Sequence, residues 1–491
     1  MTLLKPPVSN ELKGSDGVIV VEMLLIKLEK RTDTPLYEQI YDQIRYDITD
    51  GKLPVGMKLP SKRKLGDFLA VSQTTIELAY AQLAAEGFIS SKPRKGFYVQ
   101  AIEELAYVQP AQPAEEVLAK KVEDVTYDFS PGKIDTGSFP FSQWRKYAKD
   151  VIDESSSNLL LLGHPHGDLE LRQEIARYLY HSRGVDCTAE QIIIGSGTEQ
   201  LMPLVIRILG TEATYAIEDP GYPLTHHVFF HNNREAIPIA VDEEGMDVGS
   251  LQNSGASVAY VTPSHQFPTG IVLSAARRTV LLNWASSDDS HFIIEDDYDS
   301  EFRYTGRPIP SLQGMDKGGN VIYLSTFSKS LMPSLRIAYM VLPPLLLNRY
   351  AKAFIHYSAT VPRLDQHILA RFMAGGHFSR HLNRMRKIYR RKLSGLTEAL
   401  LPYAPYVSFS GDEAGMHIIL TVHMPKDEKV LSEIALENSI RVYGLNDYRT
   451  APVTGEPSFL LGFGGLSTDA IKQGIENLMR AWSIKKGEES N

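Results

Sequence analysis

Beyond Tyr127 the chain repeats one pattern: a short apolar run, a few turn-forming residues, then an amphipathic stretch long enough for a helix. The runs are QIIIG at 191–195, YAIED at 215–219, SVAYVTP at 257–263, HFIIED at 291–296 and VIYLST at 321–326. Unbroken apolarity marks strands covered on both faces, and strands separated by helices pair wholly or mostly in parallel. The pattern predicts an α/β fold, a sheet with helices on both faces, followed from about Ser379 by a smaller α+β segment. Ligands of open α/β sheets bind at the carboxyl ends of the strands, so the residues that follow each run are the first candidates for a site.

The first hundred residues read differently. Leu36, Ile40, Ile44 and Ile48 recur every four residues, and Gly51 supplies a helix stop. After the break at Leu59-Pro60, Ser61 can cap a second helix running to Ala70. Ser72 can cap a third, with Ile76, Leu78 or Ala79, and Leu83 inward and Gly87 at its end. Phe88-Ile89 and Phe97-Tyr98-Val99 are β-prone runs on either side of a basic turn. Three helices and a basic hairpin make a winged helix-turn-helix, α+β in class. Such a module reads double-stranded DNA by laying one helix in the major groove while basic residues hold phosphates. The candidate contacts are Ser72, Gln73, Thr74 and Thr75 at the start of the third helix. Lys62, Arg63 and Lys64 lie ahead of it, and Lys92, Arg94, Lys95 and Gly96 form the wing.

A formal net charge of −8 looks wrong for a nucleic-acid partner until it is divided. Residues 30–100 carry 11 Lys and Arg against 8 Asp and Glu, a balance of +3, which leaves 40 against 51, or −11, for the remainder. At roughly 150 residues per domain, 491 residues predict about three structural units. The expected boundaries are a disordered extension over 1–24, the winged helix-turn-helix over 25–100 and a Gln-, Pro- and Ala-rich linker over 101–126. A body over 127–485 follows, with its large part at about 160–375 and its small part at about 376–485. Cys187 is the single cysteine and has no internal partner for a disulfide. Apolar stretches such as 341–347 fall short of the ~20 residues that span a bilayer. The run 18–28 is interrupted by Glu22 and Lys27 and lacks a following cleavage site. These features predict a cytoplasmic protein without a membrane partner.

The strand ends of the body carry a coherent set of groups. Thr326 and Ser328 offer hydroxyls beside Lys329, and Arg336 follows seven residues after that lysine. Asp296 ends HFIIED, with Tyr298 two residues on. Ser196-Gly197-Thr198 joins a strand to a helix, where amides and hydroxyls form an anion site. Tyr222 in EDPGYP follows another strand. Pyridoxal 5′-phosphate (PLP) chemistry requires such a set: a lysine for a Schiff base, a carboxylate for the pyridine nitrogen, a phosphate cup and an aromatic ring against the cofactor face. His226, His227 and His231 lack the cysteine or carboxylate pattern of a metal site, and no metal is expected. His226 or His227 can instead shape an effector pocket.

Two resemblances sharpen this reading. LPSKRKLGDFLAVSQTTIELAYAQLAAEGFISSKPRKGFYV closely resembles the DNA-binding domain of the GntR regulators. That family usually has arginine where this chain has Gln73. HPHGDLELRQEIARYL, IGSGTEQL, EDPGYP, TPSHQFPTG, EDDYDSEF and FSKSLMPSLRIAY resemble fold-type I aminotransferases in order and spacing. The combination resembles the MocR subfamily of GntR regulators from end to end. The resemblance implies that Lys329 carries PLP as a Schiff base, Asp296 pairs with the ring nitrogen, Tyr298 touches the 3′-oxygen and Tyr222 stacks. Ser196, Gly197, Thr198, Thr326, Ser328 and Arg336 would surround the phosphate.

The chain departs from simple aminotransferases at three places. Phe267 replaces the asparagine before Pro-Thr-Gly, and Leu162 replaces a tyrosine lent by a partner subunit. SFLLGFGGL lacks the arginine for a substrate carboxylate, a role for which Arg441, and after it Arg449, is the candidate. The implied function is a PLP-dependent transcriptional regulator that senses an amino compound, or PLP itself, at Lys329, with at most weak transaminase activity. It would act as a domain-swapped homodimer on a DNA operator. The alternative is a working aminotransferase with a vestigial DNA-binding head.

Overall fold

The computed structural model describes residues 11–13, 19–21, 23–29, 34–101, 125–306 and 309–487. Contacts divide the chain into two compact units, residues 1–122 and 123–491. The division falls inside the expected linker, of which residues 102–124 lie outside the described residues. Within the expected amino-terminal extension, Glu11–Lys13 pairs antiparallel with Ile19–Val21, a short ladder in place of irregular chain; residues 1–10, 14–18 and 22 lie outside the described residues.

In the first unit, helices Leu36–Thr49, Lys62–Leu69 and Gln73–Ala85 precede the hairpin Ile89–Lys92 and Gly96–Val99. Ile40, Ile44 and Ile48 are buried with Leu65, Ile76, Ala79, Tyr80 and Leu83 in one core. Ala79, not Leu78, faces inward; Leu78 is exposed. Both expected caps form: the Ser61 hydroxyl accepts from the Lys64 amide at 3.2 Å and the Ser72 hydroxyl from the Thr75 amide at 3.1 Å. The hydroxyl of buried Tyr80 donates to the Pro60 carbonyl at 3.0 Å, tying the third helix to the strand-like entry of the second.

The second unit is built on an eight-stranded sheet. Its order is Ile192–Gly195, Ala338–Val341, Val321–Thr326, Phe292–Asp297, Val258–Val261, Tyr215–Asp219, Ala236–Asp242 and Gly245–Met246. The five runs of the sequence are all strands, and four of them pair in parallel with one another. Ala338–Val341 is antiparallel to both neighbours. Ala236–Asp242, with Pro238 and an alternating exposure, lies near the sheet edge, where the continuous apolar signature of a central strand is absent.

Neighbouring residues enter opposite layers, as the strand period of two requires. Phe292 and Ile294 join the core with helices Thr198–Leu209 and Pro344–Ala353, while Ile293 joins the one with Ala275–Ala285. A 24-residue helix, His377–Leu400, leads into an antiparallel sheet of Val407–Ser410, His417–Val422, Ser458–Gly462 and Tyr443–Gly444, backed by helix Thr468–Ala481. No helix among the described residues is long and apolar enough to cross a membrane.

Candidate functional site

A cavity of about 310 Å³ opens at the carboxyl ends of the central strands. Gly197 and Thr198 reach it from the first helix turn after Ile192–Gly195, and Tyr222 from the loop after Tyr215–Asp219. Asp296 and Tyr298 come from the end of Phe292–Asp297, Thr326 from the end of Val321–Thr326, and Ser328, Lys329 and Arg336 from the segment after it. Nine of the ten expected cofactor residues thus line one space. Ser196 is the exception: it is absent from the lining, and its amide donates to Gln200 Oε1 at 3.2 Å.

The acidic run Glu295-Asp296-Asp297 is sorted by strand alternation. Glu295 accepts from the amides of Leu312 and Gln313 at 2.9 and 2.8 Å, and Asp297 accepts from Arg183 Nε at 2.7 Å and Tyr323 Oη at 2.6 Å. Both hold the scaffold. Asp296 faces the cavity: one oxygen accepts from the Tyr260 hydroxyl, and the other is buried without a partner among the described residues. Burial pushes its pKa up to about 7; the Tyr260 hydrogen bond opposes this and Asp297 and Asp299 add to it.

Lys329 stands on a one-turn helix capped by Thr326, whose hydroxyl accepts from the Ser328 amide at 3.1 Å. Its Nζ donates to the carbonyl of Pro131. Burial lowers its pKa to about 8, partly offset by the charge of Asp299. The buried amine is therefore far more nucleophilic at neutral pH than a surface lysine.

The aromatic wall is centred on Phe267. The rings of Tyr222, Tyr298 and Tyr448 meet it edge-on at 5.3, 5.9 and 5.3 Å. The Tyr298 hydroxyl donates to the His265 carbonyl at 2.9 Å, and it lies 2.9 Å from His265 Nδ1, which is 3.1 Å from Asp299. Arg336 adopts φ 51° and ψ 47°, a left-handed conformation that is strained for a non-glycine residue. Its guanidinium enters the cavity wall and pairs with Glu199.

A half-buried lysine, a buried carboxylate with an open oxygen, and a helix-start cup with an arginine fit the amine-reactive carbon, ring nitrogen and phosphate of PLP. Tyr260, Glu199, Tyr448 and Pro131 are lining residues that the sequence reading did not single out. Tyr260 lay hidden inside an apolar strand run, and Pro131 and Tyr448 come from distant parts of the chain.

Arg441 is not among the lining residues. It sits in the two-residue strand Ile440–Arg441, paired with Tyr127–Asp128, and its carbonyl accepts from the Phe129 amide at 3.0 Å. Arg449, His226 and His227 line a neighbouring cavity of about 240 Å³ with Asp219 and Asp447. The grouping with metal-like spacing among the described residues is instead His265, Asp299 and His417, whose ligand atoms lie within 4.8 Å of one another. There burial holds the His417 pKa well below its ordinary value.

In the head, Arg63, Lys64, Gln73, Thr74, Lys92, Arg94 and Lys95 are exposed. Lys62 is spent locally, pairing with Glu77 at 2.5 Å and lying 5.5 Å from the Phe97 ring centre. Ser72 is spent as the cap and Thr75 is bonded to it at 2.8 Å, so their hydroxyls are engaged before any DNA arrives. Gly96 closes the hairpin with φ 102°, after Arg94 at φ 61°.

Comparison with known proteins adds two family matches. Residues 36–99 match the bacterial regulatory proteins of the gntR family, and residues 127–477 match aminotransferase class I and II. The chain is 42% identical to the uncharacterized HTH-type transcriptional regulator YdeL of Bacillus subtilis (strain 168), over 93% of this chain and 99% of that one. It is 29% identical to MocR of Rhizobium meliloti, a probable rhizopine catabolism regulatory protein, over 93% and 96%. Among solved structures it is similar to a kynurenine aminotransferase of Pyrococcus horikoshii in complex with PMP. The TM-score is 0.66 at 26% identity, covering 74% of this chain and 91% of that one.

Proposed function

Since the chain belongs to the MocR-type GntR regulators, with a gntR head and a PLP-binding aminotransferase-like body, we propose that it couples occupancy of the Lys329 cavity to DNA affinity. The observation that carries this is the convergence of Lys329, Asp296 and Arg336 on one cavity in a chain that also has an exposed basic wing. When bound, PLP supplies an electrophilic carbon that a lysine or an incoming primary amine can attack.

The chain's own groups have separate tasks in this reading. Lys329 tethers the cofactor. Asp296 holds a proton on the ring nitrogen, with Tyr260 orienting the carboxylate. Tyr298 contacts the 3′-oxygen and Tyr222 covers a ring face. Gly197, Thr198, Thr326, Ser328 and Arg336 grip the phosphate. Ser196 stands apart from this group, outside the lining and with its amide donated to Gln200 Oε1. An amino compound, or PLP itself, is the effector, and it shifts the head only by its differential affinity for the two states of the protein.

The assembly in this reading is a domain-swapped homodimer. Leu160, Leu161 and Leu162 support the dimer, being consecutive and 79%, 69% and 86% exposed, an apolar run that a partner surface would cover. On DNA, Arg63, Lys64, Arg94 and Lys95 hold phosphates while Gln73 and Thr74 face base edges.

The test is spectroscopic and then functional. Wild-type protein with PLP gains an absorbance band that borohydride fixes covalently, and Lys329→Ala does not. Retention of the fixed adduct in Lys329→Ala would show that another lysine carries the cofactor. Sustained turnover of an amino acid with a keto acid, with DNA affinity unmoved by either, would favour the aminotransferase alternative.

A further inference from the structure

Two carboxylates line the cavity among the described residues, Asp296 and Glu199. Asp296 has the task just described. Glu199 lies in the first helical turn after the Gly197-Thr198 cup and against the arginine of that cup. Its Oε1 is paired with Arg336 Nη2. The crowding is tight: a methyl group added at Gly197 would collide with both the Arg336 guanidinium and the Glu199 carboxylate. Three residues therefore meet at one point of the cavity wall.

A helix start with free amides and a guanidinium attracts a phosphate. A carboxylate on the same guanidinium competes for its donors and repels a second anion nearby. The bland alternative is that Glu199 only complements the helix dipole, as acids in first turns do. That role needs no arginine partner and no place in the cavity wall, and Glu199 has both.

We propose that Glu199 sets how tightly the cavity holds its phosphate-bearing ligand, by occupying Arg336 when no phosphate is present. This rests on the cofactor reading above and extends it from which group binds to how strongly. A sensor responds only if its occupancy changes over the working range of ligand, and an internal competitor weakens binding into such a range. Glu199 acts on the phosphate alone, so its effect vanishes for a ligand that lacks one.

The experiment titrates the full-length wild type, Glu199→Gln and Glu199→Asp with PLP and with pyridoxal, which has the same aldehyde and ring but no phosphate. Inorganic phosphate serves as competitor, and a thermal melt checks folding of each variant. The glutamine keeps the shape and removes the charge. It should tighten PLP by about two- to fivefold, the range of a charge interaction at a protein surface, strengthen competition by phosphate and leave pyridoxal unchanged. Glu199→Asp, one methylene shorter and drawn back from Arg336, should fall between the two. Unchanged PLP affinity in a folded glutamine variant overturns the inference, as does equal tightening of PLP and pyridoxal. If the wild type takes up neither aldehyde, the cofactor reading fails and takes this inference with it. If the wild type binds PLP and the variants match it, the inference fails alone.

Discussion

Lys329 shows how burial converts an ordinary residue into a reactive one. In the sequence it is a lysine after a serine, the commonest kind of surface group, and only its position at a strand end marks it. In the structure it is half-buried in the cavity wall, and desolvation lowers its pKa from 10.5 to about 8. A neutral amine is the attacking form, so capture of PLP should accelerate about tenfold per pH unit below pH 8 and level off above it. Stopped-flow absorbance from pH 6.5 to 9.5 reads this directly; a rate still climbing steeply at pH 9.5 would mean an unperturbed lysine. The neighbouring acids carry the opposite lesson. Glu295, Asp296 and Asp297 look alike in the sequence, and only strand alternation separates the cavity carboxylate from two that hold amides, Arg183 and Tyr323. Residue type at a strand end was legible; Glu199 and Tyr260 were not, because their significance lies in Arg336 and Asp296, far away along the chain.

At the scale of elements, periodicity announced the head almost residue for residue. Isoleucines every four positions gave the first helix, and two serines gave the caps of the next two. Removing either cap with Ser61→Ala or Ser72→Ala should cost the head about 1 kcal/mol. Leu83→Ala, in a fully buried site, should cost about 2–5 kcal/mol and abolish DNA binding while the PLP absorbance of the body survives. Differential scanning calorimetry beside absorbance checks both. Arg63→Ala and Arg94→Ala should each lower the slope of log affinity against log salt by about one; an unchanged slope would make these arginines a solvated face. Strand detection worked for the five apolar runs and missed Ala338–Val341, also buried on both faces, and Ala236–Asp242, whose proline and exposed residues break the continuous apolar signature. Arg441 was chosen because SFLLGFGGL lacks an arginine, a reason that says nothing of direction, and its strand pairing leaves it outside the cavity lining.

For the whole molecule, charge partition and family membership agree on a DNA-binding head joined to an acidic, cofactor-binding body. The exposed leucines at 160–162 make the dimer testable by size. Leu161→Glu should shift the particle from dimer to monomer in sedimentation, while wild-type mass already at the monomer value would remove the swapped assembly from the account. The central claim is coupling between the two units, and it is tested most directly by DNA affinity. Operator DNA is titrated with wild type and with Lys329→Ala, without ligand, with PLP, and with PLP plus each amino acid in turn. Affinity should change on adding PLP or one amino acid in the wild type and stay constant in Lys329→Ala. Equal affinities under all conditions in the wild type, or the same shift in both proteins, would contradict it.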